Sequence, residues 1–244
     1  MTAGPFKLDM YLQAHTAPLF AELRAVVCAD IDFEACLPAT ARRQLYLGQI
    51  CGIDFANAGA EDYRYLATFA LADEAVPAGH YRSVLVTPAK GGLKALEEFR
   101  PDQHLVAVNE PGSFSGAVTF ASTMLGSGKG KFPHHLITGS HAASLDRVAQ
   151  AKAMLASIDC VSFEMVTRQH PKMRDQIRIV GFTAPHPGLP FVTSAQMPDD
   201  ICAVMSQRLC SFLHGERAKL WSERLGVSGI TCLPEASYQA MRAL

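Results

Sequence analysis

Several absences narrow this chain before any motif is considered. No two cysteines are spaced C-x-x-C, and Cys28, Cys36, Cys51, Cys160, Cys202, Cys210 and Cys232 form an odd, irregular set. Neither a disulfide framework nor a zinc site is expected from them, and reduced, mostly buried thiols fit a cytoplasm. No apolar run reaches the roughly 18 residues of a spanning helix, which predicts no membrane insertion. The opening MTAGPFKLDM has neither the basic start nor the unbroken apolar stretch of a secretory leader. As it stands the sequence predicts a cytoplasmic location, or a periplasmic one if a leader has been removed. The 22 Lys and Arg residues are dispersed against 23 Asp and Glu, for a formal net charge of −1, so the clustered cations that a phosphate backbone requires are missing. Nucleic acid is excluded as a partner, and a small molecule or another protein is expected.

What is present is a chain of 244 residues, 49% hydrophobic, long enough for one large domain or two lobes of ordinary size. Short β-like runs alternate with helix-like segments, and the simplest packed solution is a mainly parallel sheet with helices on both faces, an α/β fold. Phe6 to Leu12 reads as an opening strand, and Thr16 to Val27 as a helix with Leu19, Leu23 and Val26/Val27 on one face. YRSVLVTP at 81 to 88 is a strand, Gly92 to Phe99 a short helix, HLVAVN at 104 to 109 another strand, and Gly116 to Leu125 a helix of small and apolar residues. Ala142 to Leu155 carries a helical stripe, and Ser162 reads as the cap of a helix running toward His170. The two extended runs Tyr81 to Pro88 and Ile177 to Pro185 flank a central βαβα block. One economical arrangement makes them crossovers, with hinges near 84–88 and 180–185. Residues 1–86 and 184–244 then form one lobe, 87–183 form an inserted second lobe, and a ligand cleft lies between them.

The stretch NEPGSFSG at 109 to 116 admits three readings. A nucleophile elbow, G-x-S-x-G, needs serine at the centre of GSFSG, where Phe114 stands. An anion cradle fits better: a strand, then Ser113 and Ser115, then a helix N-terminus carrying about half a positive charge. A plain serine N-cap, worth about 1 kcal/mol, fits equally well. TGSHAASL at 138 to 145 repeats the design with Ser140 and His141, and a protonated His141 would hold an anion more strongly. GSGKGK at 126 to 131 lacks the spacing of a P-loop. His134, His135 and His141 lack metal-ligand geometry, because adjacent strand residues point to opposite faces. Asp159 ends an apolar strand, where it either grips a ligand's amino group or caps locally. Cys160 with His141 could be drawn as nucleophile and base, without a readable third residue. Tyr11, Tyr46 and Tyr81 are candidates for lining a cleft.

LYLGQICGIDF, YRSVLVTP, VAVNEPGSFSGAVTF, TGSHAASLDRV, IDCVSFE and GFTAPHPGLPFVT occur in the order and at about the spacing found in the phosphate/phosphonate-type substrate-binding proteins of ABC transporters. The chain resembles that family over about residues 44 to 194. The resemblance implies the two-lobed type 2 periplasmic-binding-protein fold, with two crossover strands and closure on a small ligand. It places the oxyanion at Ser113, Ser115, Gly116, Ser140 and His141, and puts Tyr81, Asp159, Cys160, Ser162, Gln49, Cys51 and Gly52 at matching positions, with Phe114 added as a ligand-site residue between the two serines and Tyr11 as a group facing the far end of the ligand. Two departures stand out: Met154 replaces the family's usual acidic residue, and Phe114 sits where a smaller or polar residue is common. The expected protein is a non-enzymatic binder of a small anion or zwitterion, without cofactor or metal, partnered by an ABC permease or a signalling protein. The rival expectation is a cytoplasmic enzyme on the same fold using Cys160 or His141.

Overall fold

In the strand Ser83–Pro88, every residue of which is buried, Val84 and Val86 point to one side and Leu85 to the other, as a two-residue period requires. The same split runs through the neighbouring strands. Val84, Val86, Ala107, Ala156 and Ile158 pack with Leu145 and Val148 of the helix His141–Ala149 and with Phe163 and Val166 of the helix Cys160–Gln169. Leu85, Val106, Val108 and Leu155 pack on the opposite face with Phe120 and Ala121 of the helix Thr119–Leu125 and with Phe99 and Phe132. The central strands are thus covered on both faces, while Leu136, Ile137, Ile179 and Phe182 on the edge strands remain exposed.

The structure, a computed structural model, describes residues 5–41 and 43–244. The chain sorts into two units: one runs up to His80 and resumes at Pro187–Ala243, and the other is Tyr81–His186. The crossings therefore fall at 80/81 and 186/187, outside the expected hinges at 84–88 and 180–185. Residues 84–88 and 180–182 are locked in a ladder of the second unit, where Val84 pairs with Phe182 and Pro88 with Ile177, and Ser83 already pairs with Asp159. Of the lobe expected over 1–86 and 184–244, residues 1–4 lie outside the described ones.

The sheet of the second unit is ordered His135–Ile137, Val106–Val108, Leu155–Asp159, Ser83–Pro88, Ile177–Phe182. Its first three strands are parallel, and Ser83–Pro88 runs antiparallel to both of its neighbours. The sheet of the first unit is ordered Phe6–Lys7, Leu47–Gln49, Pro190–Ser194, Tyr63–Leu71, Val227–Thr231. Only its first pair is parallel. Both sheets are mixed: in the second unit four strands share one direction, and Ser83–Pro88, on which the chain enters the unit, alone runs against them.

The first unit's core centres on Trp221, fully buried, with Phe20, Phe69 and Phe212 at centroid distances of 5.2, 5.6 and 5.8 Å. Its first helix is Ala17–Val27, burying Leu19, Phe20, Leu23 and Val27, while Val26 is exposed. Local details depart from expectation elsewhere. The opening strand is only Phe6–Lys7. Between Gly92 and Phe99 there is a single 3-10 turn, Leu96–Glu98. The helix expected over 142–155 is His141–Ala149, since Leu155 already belongs to the next strand. Among the described residues no helix is long and apolar enough to cross a membrane.

Candidate functional site

The parallel strands Val106–Val108 and His135–Ile137 end side by side, and the turn after each leads into a helix. After the first strand, Ser113 has extended φ/ψ of −65° and 124°, and its Oγ accepts from the backbone N–H of Gly116 at 3.2 Å and from Asn109 Nδ2 at 3.0 Å. The next five residues, Phe114–Val118, form a π-helical turn closed by Val118 N–H to the Ser113 carbonyl at 3.0 Å, and Thr119–Leu125 continues as α-helix. Single π turns recur at functional sites. After the second strand, Gly139 takes φ of +85°, a value that favours glycine, and Ser140 Oγ accepts from Ala143 N–H at 3.1 Å. Gly139 N–H donates to the Asn109 carbonyl at 2.8 Å and Thr138 N–H to the Val108 carbonyl at 2.9 Å. The two turns are thereby tied into one frame.

Between the turns, Ser115 Oγ lies 2.9 Å from His141 Nε2. Ser115 is held from behind by its own carbonyl, which accepts from the hydroxyls of Ser157 at 2.7 Å, Ser83 at 3.0 Å and Thr119 at 3.2 Å. Strand alternation explains this: Ser83 shares its face with Leu85 and Ser157 with Leu155, the face on which the Thr119–Leu125 helix packs. Gly116 sits so tightly that a Cβ there would meet Asn109 Oδ1 at 1.9 Å and His141 Cε1 at 3.1 Å.

At each turn the serine that caps the helix has spent acceptor capacity on backbone N–H groups. Ser113 Oγ takes two donors, so both lone pairs are occupied and its own proton is left for another acceptor. In the helix His141–Ala149, Ala143 N–H is satisfied by Ser140, while the N–H groups of His141 and Ala142 have no intrahelical partner. The Asn109 Oδ1 atom is buried without a hydrogen bond, and His141 Nδ1 is buried without one of normal geometry. Burial holds the His141 imidazole below its ordinary pKa, opposed by the Asp159 carboxylate and the Ser157 backbone. The ring is neutral near pH 7, unlike the protonated anion donor that its residue type allows.

Asp159, almost fully buried, closes the strand Leu155–Asp159 and is the N-cap of the next helix, its Oδ1 accepting from Ser162 N–H at 2.9 Å. The cap expected at Ser162 is thus Asp159, and the helix starts earlier, at Cys160. Ser162 is half-buried on its first turn, and Cys160 N–H donates to the Arg82 carbonyl at 3.2 Å. Phe114 is fully buried and meets His186 edge-on, with centroids 5.1 Å apart, so its ring packs inside the unit. Tyr81 is buried at the unit's first position. Gln49 and Tyr11 belong to the first unit, where both are buried. Gln49 Nε2 reaches the Leu189 carbonyl at 3.5 Å, and the Tyr11 carbonyl accepts from the Thr16 hydroxyl at 2.8 Å. Cys51, half-buried, precedes the helix Gly52–Ala58 at its N-cap position.

His134 Nε2 and His135 Nδ1 contact the backbone carbonyls of Asp102 and Phe132, and among the described residues no group of three His, Cys, Asp or Glu side chains could hold a metal. Sequence reasoning missed Asn109, Ser83, Ser157 and Thr183, whose hydroxyl accepts from Ser83 N–H at 2.9 Å. For Ser83 and Ser157 the available signal was a small hydroxyl residue inside an otherwise apolar strand.

Residues 8–238 match the family model described as ABC transporter, phosphonate, periplasmic substrate-binding protein. No curated protein matches the chain. A binding protein component of an ABC phosphonate transporter from Pseudomonas aeruginosa, PA3383, is similar in structure at a TM-score of 0.71 and 14% identity, over 97% of this chain and 83% of its own. PhnD1 of Prochlorococcus marinus, solved in complex with methylphosphonate, has a TM-score of 0.61 at 10% identity, over 92% and 80%. XAC2383 from Xanthomonas citri, bound to chloride ion, has 0.59 at 13%, over 82% and 79%. At these identities the likeness shows the fold.

Proposed function

Because the chain belongs to the phosphonate periplasmic substrate-binding protein family of ABC transporters, we propose that this solute-binding protein holds the oxyanion end of a small ligand at the Ser113–Gly116 and Ser140–His141 turns. The carrying observation is the frame itself: two capped helix starts, linked through Gly139 N–H and the Asn109 carbonyl, with Ser115 and His141 in contact between them. Such a frame supplies neutral donors whose positions are set before the ligand arrives, so little ordering cost falls on binding. The side chains at Ser113, Ser115, Ser140 and His141 carry no fixed positive charge, and affinity then comes from backbone N–H groups, hydroxyl protons and the helix-start partial charge. Asp159, whose carboxylate acts on His141, disfavours a second full negative charge at that end and favours a cationic or protonated group on the ligand.

Methylphosphonate, the ligand of PhnD1, is the first probe, with phosphate and sulfate beside it. The permease of an ABC transporter is the proposed protein partner. Charged hydrogen bonds contribute about 1.5–3 kcal/mol each, so replacing Ser113 and Ser115 together by alanine should weaken methylphosphonate binding by at least a hundredfold in calorimetry. Unchanged affinity for every probe in a folded double variant would remove the cradle. The enzyme alternative predicts instead that turnover, not binding, is lost in Cys160→Ser.

A further inference from the structure

Far along the chain from the cradle turns, within the first unit, the helix Asp199–Cys210 ends on a thiol that faces the residue following the strand Val227–Thr231. Cys210 Sγ and Cys232 Sγ are 3.4 Å apart. The two sulfurs are closer than a van der Waals pair, and a disulfide needs them at about 2.05 Å. Cys232 is exposed and Cys210 half-buried, so a small thiol reagent can reach the pair. The backbone around them is anchored: Ser206, one turn earlier on the helix, donates its hydroxyl to the Leu66 carbonyl at 2.7 Å, and Leu233 N–H donates to the Tyr65 hydroxyl at 2.9 Å. Cys232 Sγ also points at the Leu66 carbonyl, at 3.5 Å. Losing that S–H donor costs little, because Ser206 already satisfies the same oxygen.

We propose that Cys210 and Cys232 are a disulfide-forming pair, closing a loop across 22 positions and tying the end of the helix to the edge of the sheet. The exposed Cys232 thiolate attacks a sulfur of an oxidised disulfide, and one thiolate of that reagent leaves. Cys210 then gives up its proton and attacks the Cys232 sulfur, and the second thiolate leaves. Two protein thiols are oxidised and one external disulfide is reduced to two thiols, so electrons and protons balance. Burial and the neighbouring thiol push Cys210 up to about 12, which keeps it a thiol and makes Cys232 the first to react. An oxidising compartment, the one named by the family, supplies the disulfide donor.

The test uses the whole chain with oxidised glutathione as the reagent. Free thiols are counted under denaturing conditions before and after, and peptides are mapped by mass. The expected result is the loss of two of the seven thiols, a linked peptide pair containing Cys210 and Cys232, and a Tm raised by roughly 5–10 °C that dithiothreitol reverses. Cys210→Ser should stop at a glutathione adduct on Cys232. Methylphosphonate affinity should not change, since the cradle lies in the other unit, so this outcome is read independently of the binding proposal. Seven thiols surviving, a stable adduct on Cys232 in the unsubstituted chain, or a link to any other cysteine would overturn the assignment. If Cys210→Ser fails to fold, the peptide map of the unsubstituted chain decides alone.

Discussion

Replacing Ser83 and Ser157 by alanine, singly and together, tests whether the Ser115 carbonyl is what positions the first turn. That oxygen has two lone pairs and three hydroxyl donors, Ser157 at 2.7 Å, Ser83 at 3.0 Å and Thr119 at 3.2 Å. A buried hydrogen bond contributes about 1 kcal/mol net, while a buried acceptor left short of partners costs about 1–3 kcal/mol. Either single variant leaves two donors for two lone pairs and should cost about 0.5–1 kcal/mol. The double variant leaves only the longest bond and should cost about 2–3 kcal/mol, so the cycle carries a coupling of about 1 kcal/mol. Serine to alanine removes one oxygen and opens little volume, which keeps cavity effects out of the comparison. Urea unfolding of the four proteins measures the coupling, and calorimetry with methylphosphonate measures whether the turn has shifted. Strictly additive singles, or a double variant costing less than about 1 kcal/mol with full affinity, would show that the carbonyl is not under this control.

Two other outcomes follow from the same frame. Alanine at Gly116 places a Cβ 1.9 Å from Asn109 Oδ1; the amide must swing away and release Ser113 Oγ, so stability should drop by about 2–4 kcal/mol from overpacking plus one lost hydrogen bond, seen as a fall in Tm with weakened methylphosphonate binding. His141 should make stability depend on pH. Burial lowers its folded pKa below the unfolded value of about 6.5, so between those two values the unfolded chain binds more protons and stability rises with pH. The contribution is fully present above about pH 6.5 and is lost as pH falls toward the folded value, and His141→Gln should flatten that part of a Tm profile taken from pH 7 to pH 5. A profile unchanged by the substitution would contradict the burial argument.

The strand-turn-helix pattern was legible because it is written locally. VAVN and HLIT supply short apolar strand ends, and Ser113 and Ser140 stand immediately before the helix starts at Phe114 and His141. Boundaries were less so. The Gly92–Phe99 helix contracts to one 3-10 turn, where Thr87 Oγ1 takes the Leu93 N–H at 3.0 Å, and a side-chain competitor of that kind cannot be seen in a periodicity. Strand direction was not legible at all, since a β-run reads the same whether its neighbour is parallel or antiparallel, and only the crossing of the chain between units reverses Ser83–Pro88 against Leu155–Asp159. Ser83 and Ser157 escaped notice for a related reason: each is a single polar residue in an apolar strand, and its value depends on a carbonyl 32 or 42 residues distant.

Cap and cradle stood as rival readings of GSFSG, and the geometry makes them two uses of one oxygen. A serine hydroxyl has two lone pairs and one proton. At Ser113 the lone pairs are taken by Gly116 N–H and Asn109 Nδ2, which is capping, and the proton is left over, which is what the proposed anion site requires. Asn109 fixes the direction of that proton by occupying the second lone pair. A cap with only its backbone partner would leave the hydroxyl free to rotate. On this argument Asn109→Ala should leave the helix start intact and weaken methylphosphonate binding, because it restores rotational freedom to the Ser113 hydroxyl without removing it. Circular dichroism that is unchanged while affinity falls several-fold would separate the two uses, and affinity unchanged in a folded variant would show that the second lone pair does not matter to the ligand.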